Sequence, residues 1–219
     1  MTSEPVAAGG SPGAFVEASE RYLLLADISG YTSFLSAVED SHGVDFSRGI
    51  PAGYAIIGAL LDAVVEGIQP SFDIAKLEGD AVFATATADR LDGDGDHLVA
   101  LLRDVNGSFE VVKARQAEQA SDHVCTGCPR AAALTVKMIL HRGQVVAVPG
   151  RGVSDIHGPA VTLAHRLLKN SVRSHVGDRP YLLLTGAAAS ALGLDDAGVA
   201  HEERYDDVGV IEGRVVDLA

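Results

Sequence analysis

Positive charge is scarce in this chain: 17 Lys and Arg stand against 30 Asp and Glu, a formal net charge of −13. Such a surface repels a phosphate backbone, so a nucleic-acid partner is not expected. A single nucleotide held through divalent cations stays open. Cysteine is scarcer still, two in 219 residues; with no export signal, the cytoplasm is the expected compartment. No apolar run approaches the ~20 residues that span a bilayer, so no membrane partner is expected either. Met1 to Ser19 is rich in Ala, Gly, Ser and Pro and lacks a basic start with an apolar centre. It reads as a flexible tail rather than a signal peptide.

The two cysteines stand together as Cys125-Thr126-Gly127-Cys128, with His123 two positions earlier. One such pair supplies two or three zinc ligands where structural zinc takes four, and the chain holds no second CxxC. Nothing around it gives the context of a redox motif. The residues leave open a turn carrying reduced thiols and a zinc shared between two copies. The run Asp92-Gly93-Asp94-Gly95-Asp96 has a calcium-loop look, but His97 stands where an EF-hand needs glycine and Arg103 where it needs glutamate. It reads as an acidic cap on a following helix.

What is present is a well-supplied core. Hydrophobic residues make up 47% and charged residues 21%, the composition of one folded domain, placed here at 20–219. The patterning predicts a strand at 21–27 and helices at 31–38 and 50–68. Strands follow at 71–78 and 81–87, joined by Gly79-Asp80 as a hairpin turn. A helix is expected at 97–119, then two strands, 134–140 and 144–148. A loop at 150–158 leads to a helix at 159–172, a strand at 181–185, a short helix at 186–192 and a closing hairpin at 204–218. This order gives an α+β sandwich with a mixed sheet.

Two places carry chemistry. Tyr22-Leu23-Leu24-Leu25-Ala26-Asp27 is a buried strand ending in a carboxylate, followed by the turn Ser29-Gly30 and a helix start. Lys76-Leu77-Glu78-Gly79-Asp80 puts a second aspartate on a tight turn. Two strand-edge aspartates suggest a two-metal phosphate site.

With Leu140-His141-Arg142-Gly143-Gln144-Val145 and Asp155-Ile156-His157-Gly158-Pro159-Ala160-Val161-Thr162-Leu163-Ala164-His165-Arg166-Leu167, these motifs resemble the catalytic domain of class III nucleotidyl cyclases. The likeness runs from about Tyr22 to the C-terminus, and the CxxC suggests a divergent bacterial branch. The resemblance implies a ferredoxin-like, cyclase-type α+β sandwich: a mixed, mainly antiparallel sheet with helices packed on it. It implies conversion of ATP to 3′,5′-cyclic AMP and pyrophosphate by a homodimer whose two half-sites meet at the interface. Asp27, Asp80 and the Ile28 carbonyl would hold two Mg2+ or Mn2+ ions. Arg166 would stabilise charge developing on the phosphates. Lys76 and Asp155 would donate to and accept from adenine, favouring ATP over GTP.

Two positions depart from the family pattern. Thr162 stands where the family has an asparagine that orients the ribose, and Val208 where it has a phosphate-binding lysine; Arg214 is the nearest substitute. These departures favour the alternative, a catalytically degenerate cyclase-fold module that binds a nucleotide or another ligand. His141 and His165 read as packed, satisfied residues.

Overall fold

The structure, a computed structural model, describes residues 17–43, 46–69, 71–121, 125–149 and 154–219. The predicted tail up to residue 16, His123 and residues 150–153 of the predicted loop lie outside them. Within the described residues, β1 (Glu17–Ser29) leads into α1 (Tyr31–His42), a 3₁₀ turn at Phe46–Arg48 and α2 (Ala52–Ile68). Next come β2 (Asp73–Glu78), β3 (Ala81–Thr87), α3 (Ala88–Leu91) and α4 (Gly95–Ser121). A 3₁₀ segment at Cys128–Ala133 precedes β4 (Thr135–Pro149), β5 (Ser154–His157), α5 (Pro159–Leu167) and α6 (Arg173–Val176). The chain closes with β6 (Tyr181–Thr185), α7 (Gly186–Leu192), β7 (Val199–Tyr205) and β8 (Gly209–Asp217).

The strands form one mixed sheet in the order β2-β3-β1-β4-β6-β8-β7, with β5 pairing onto β4. Only β4 and β6 run parallel; the other pairings are antiparallel. Strand β1 is buried on both faces because its apolar run supplies both. Tyr22, Leu24, Ala26 and Ile28 pack toward α1, α2 and α4, with Leu60, Val64, Leu102 and Phe109. Leu23 and Leu25 pack on the other face with Ile139, Ala160, Ala164 and Leu167 of β4 and α5. The period of two in a strand makes this division, and it puts Asp27 on the α5 side.

Four boundaries correct the sequence-based expectations. The predicted strands 134–140 and 144–148 are one strand. Gly143 does not turn the chain; a Cβ there would stand 2.9 Å from Ala160 Cβ, so the glycine lets α5 approach β4. The continuous strand pairs with β1 from Glu17↔Ala147 to Ser29↔Thr135, which draws residues 17–19 out of the predicted tail. Residues 154–157 of the predicted loop form β5, and the helix expected to reach 172 ends at Leu167. The acidic run before α4 does more than cap it: Asp92 accepts from the Tyr22 hydroxyl at 2.6 Å and from Arg142.

Candidate functional site

Asp27 and Asp80 come together at one end of the sheet. Asp27 lies near the end of β1, between buried Ala26 and Ile28 and opposite Ala81 of β3. Asp80 sits on the β2–β3 turn, and the Ile28 N–H donates to the Asp80 carbonyl at 3.0 Å. Backbone pairing thus fixes both positions. The carboxylates face a cleft of about 310 Å³, also lined by Ile28, Thr32, Lys137 and Arg173. Burial first, then the charge of Asp27, holds the Asp80 carboxyl above its ordinary range, against the pull of a backbone hydrogen bond and Lys137. The Tyr31 phenol is raised as well, by burial and then by Asp80 and Glu39. Two crowded carboxylate oxygens suit a hard divalent cation.

Sequence reasoning missed Lys137. It lies directly across from Asp27 in the β1–β4 register. Its ammonium reaches Asp27 Oδ2 at 2.9 Å and donates to the Leu168 carbonyl, just past the end of α5, at 3.0 Å. Its positive charge therefore meets both a carboxylate and the negative end of a helix. Arg173, also on the cleft, pairs with Asp178.

The other predicted residues gather outside that cleft. Lys76 is half exposed and bonds Glu78 at 2.7 Å. That bond leads the causes holding the Lys76 ammonium up; desolvation opposes it, and the charges of Glu78 and Asp155 add to it. The charge of Asp155 is thus felt at Lys76, while Asp155 also lies 3.6 Å from His157. Glu78 accepts from His165 at 2.9 Å, and the His165 ring stands edge-on to Phe83 with centroids 5.0 Å apart. His165 also meets the Val161 carbonyl, so it is satisfied within the fold. The sequence signal for Glu78 is its place two residues after Lys76, because alternate strand residues share a face. Arg166 pairs with Asp207 at 2.5 Å in the turn between β7 and β8 and lies over the Tyr205 ring at 5.8 Å. Thr162, exposed and four residues earlier on α5, shares its face.

Arg214, the nearest substitute for the missing lysine, is held by its own chain. It donates to the Ala197 and Gly198 carbonyls before β7, and neither it nor exposed Val208 lines the Asp27 cleft. His141 is buried inside β4 and bonds Thr185 Oγ1 at 2.9 Å; burial pushes its imidazole down to about 4. A larger cavity of about 660 Å³ opens between α6 and β7, and none of the predicted site residues lines it.

The cysteines have a partner that the sequence reading did not name. His42, at the end of α1, puts Nε2 3.0 Å from Cys125 Sγ and 3.5 Å from Cys128 Sγ. Burial raises the Cys125 thiol, but hydrogen bonds with Cys128, Gly127 and His42 outweigh it and bring the group down to about 6.

A family profile described as "Protein of unknown function (DUF2652)" matches residues 57–176. "Uncharacterized protein Rv2561/Rv2562" of Mycobacterium tuberculosis is 27% identical over 164 residues, 73% of this chain and 72% of that protein. Among solved structures, the guanylyl cyclase Cya2 superposes with a TM-score of 0.64 at 13% identity, over 93% of this chain and 99% of that one. A bacterial light-regulated adenylyl cyclase superposes with a TM-score of 0.59 at 18% identity over 93% of this chain, which spans 52% of that protein's length. At such identities the likeness establishes the cyclase-type α+β fold.

Proposed function

From a chain that belongs to the DUF2652 family and carries a cyclase-type fold, we propose an adenylate cyclase-like enzyme that converts ATP to 3′,5′-cyclic AMP and pyrophosphate as a cytoplasmic homodimer. Residues 17–219 form its one catalytic domain. The observation that carries this reading is the convergence of Asp27 and Asp80 in one cleft, with Asp80 crowded by burial and by Asp27. The donor set fits Mg2+ or Mn2+, two per site, with the Ile28 carbonyl as a further ligand. The bound ions would lower the pKa of the ribose 3′-hydroxyl and neutralise the triphosphate.

The chain's own groups do the rest. The first turn of α1 follows Gly30 and lies on the cleft, and its early N–H groups have no helical acceptor. They would donate to phosphate oxygens of a bound nucleotide, as helix starts do. Lys137, released from Asp27, and Arg173 supply positive charge that the C-terminal turn, with Val208, does not. The second subunit brings the other half. Arg166 stabilises charge on the transferring phosphate, Thr162 hydrogen-bonds the ribose, and Lys76 and Asp155 read the adenine edge.

The test is direct. Purified full-length protein with ATP and Mn2+ or Mg2+ yields cyclic AMP, and Asp27→Ala yields none. ATP binding without product under either metal would defeat the cyclase reading. The 2.9 Å pair of Lys137 with Asp27 favours the second reading, a module that binds nucleotide without turnover. There Asp27 stays with Lys137, nucleotide binding is independent of metal, and Asp27→Ala leaves it intact.

A further inference from the structure

We infer that His42, Cys125 and Cys128 form a metal site for Zn2+, separate from the carboxylate cleft and independent of the cyclase reading. Their ligand atoms all lie within 4.8 Å of one another, and among the described residues this is the only such group of His, Cys, Asp and Glu. A zinc ion reaches thiolate sulfur at ~2.3 Å and imidazole nitrogen at ~2.0 Å. Ligand atoms this close to one another can therefore share one ion with small side-chain rotations. Two thiolates and an imidazole select zinc over the magnesium that carboxylates hold.

The surroundings are built for such an ion. The Gly127 and Cys128 N–H groups both donate to Cys125 Sγ, at 3.3 and 3.2 Å. Hydrogen bonds of this kind orient thiolate ligands. Gly53 at the start of α2 lies beside Cys128. A Cβ on Gly127 would stand 2.3 Å from the Ala37 carbonyl, so only glycine lets the CxxC turn lie against α1 this closely. Thr126 Oγ1 meets Ser41 Oγ at 3.1 Å on the same line of contact. Cys128 is fully buried, Cys125 partly, and His42 is exposed. The ion would sit at the surface end of the seam, held by these three ligands among the described residues. It would tie the end of α1 to the start of α2 and to the segment leading into β4. Because α1 begins at the cleft, an ion at its far end would hold one wall of that cleft in place.

The full chain, stripped of metal under reducing conditions, is titrated with Co2+ and then Zn2+. One equivalent of Co2+ should give the strong visible bands of a tetrahedral ion and a thiolate-to-cobalt charge-transfer band, both bleached by Zn2+. Cys125→Ser and Cys128→Ser should each reduce the charge-transfer band. His42→Ala should weaken binding by more than the roughly 10–100-fold that loss of an outer-shell partner costs. Asp27→Ala should leave all of it unchanged, which separates this site from the cleft. Zn2+ should raise the melting temperature of the wild type, as any ligand of the folded state does. It should not raise that of Cys125→Ser, whose fold is checked by circular dichroism. An octahedral cobalt spectrum without charge transfer in the wild type overturns the site. So does unchanged affinity in His42→Ala, or a Cys125–Cys128 disulfide that forms equally fast with and without Zn2+.

Discussion

The carboxylate end and the base-reading end of the candidate site are held by different means. At the first, backbone pairing sets the geometry: Asp27 and Asp80 cannot separate without breaking the β1–β3 ladder and the Ile28–Asp80 hydrogen bond. At the second, side chains set it, and a nearby polar partner already occupies each one. Lys76 rests on Glu78, Arg166 on Asp207 and Asp155 beside His157. The first end is preorganised, while the second must exchange local partners for ligand groups. Exposed ion pairs of this sort hold ~1 kcal/mol or less, so the exchange is small beside the gain from a phosphate or a base.

Asp80→Ala should bring the largest loss of cyclase activity, about 1000-fold or more, since ion-held charge stabilisation is worth several kcal/mol. Arg166→Ala should cost about 100- to 1000-fold in kcat with less effect on KM. Steady-state kinetics decides; an Arg166→Ala loss equal to that of Asp80→Ala would erase the distinction between fixed and exchangeable ends. Next in size, Lys76→Glu should move the ATP-to-GTP ratio of kcat/KM toward GTP by at least about tenfold, the scale of a mispaired polar contact. An unchanged ratio would remove Lys76 from base reading. Lys137→Met should lower the metal concentration for half-maximal activity by about fivefold, the upper end for a partly exposed ion pair. A requirement that rises instead would make Lys137 a helper of the metal rather than its competitor.

The smallest effect is on stability. The Asp80 carboxyl is raised in the fold, so the folded state holds that proton more tightly than the unfolded chain does. The resulting stabilisation is full below the ordinary aspartate range and is lost as pH rises through the raised value. In chelator at neutral pH, Asp80→Asn should therefore melt at a higher temperature than wild type, with a flatter dependence on mild acid. A lower melting temperature would show that the charge is well accommodated.

Much of this was legible in the chain, for identifiable reasons. The apolar run before Asp27, the Gly79-Asp80 turn and the strand at 181–185 depend on local pattern, and the structure holds them where that pattern put them. Asp27, Asp80, Lys76 and Asp155 stand out as candidates in the chain because their motifs are short and contiguous. Lys137 was not, because it faces Asp27 only through a register between segments far apart in sequence. His42 was not, because α1 was expected to stop at 38 and the residue lies in its last turn. Gly143 misled because a glycine between polar residues signals a turn locally, whereas here it makes room for a helix.

The position of β1 also has a consequence for how the chain is made. Among the described residues, the strand made earliest is an inner strand of the sheet, and its partner positions on β4 lie about 110 residues downstream. At ~5–20 residues per second, synthesis leaves its apolar face waiting roughly 5–20 seconds for that partner. During that time β3 can pair with one edge of the strand while the edge that awaits β4 stays open, and the helices of residues 31–121 are available to shield its face. The segment that ends in Asp27 is therefore also where a nascent chain is most exposed to aggregation.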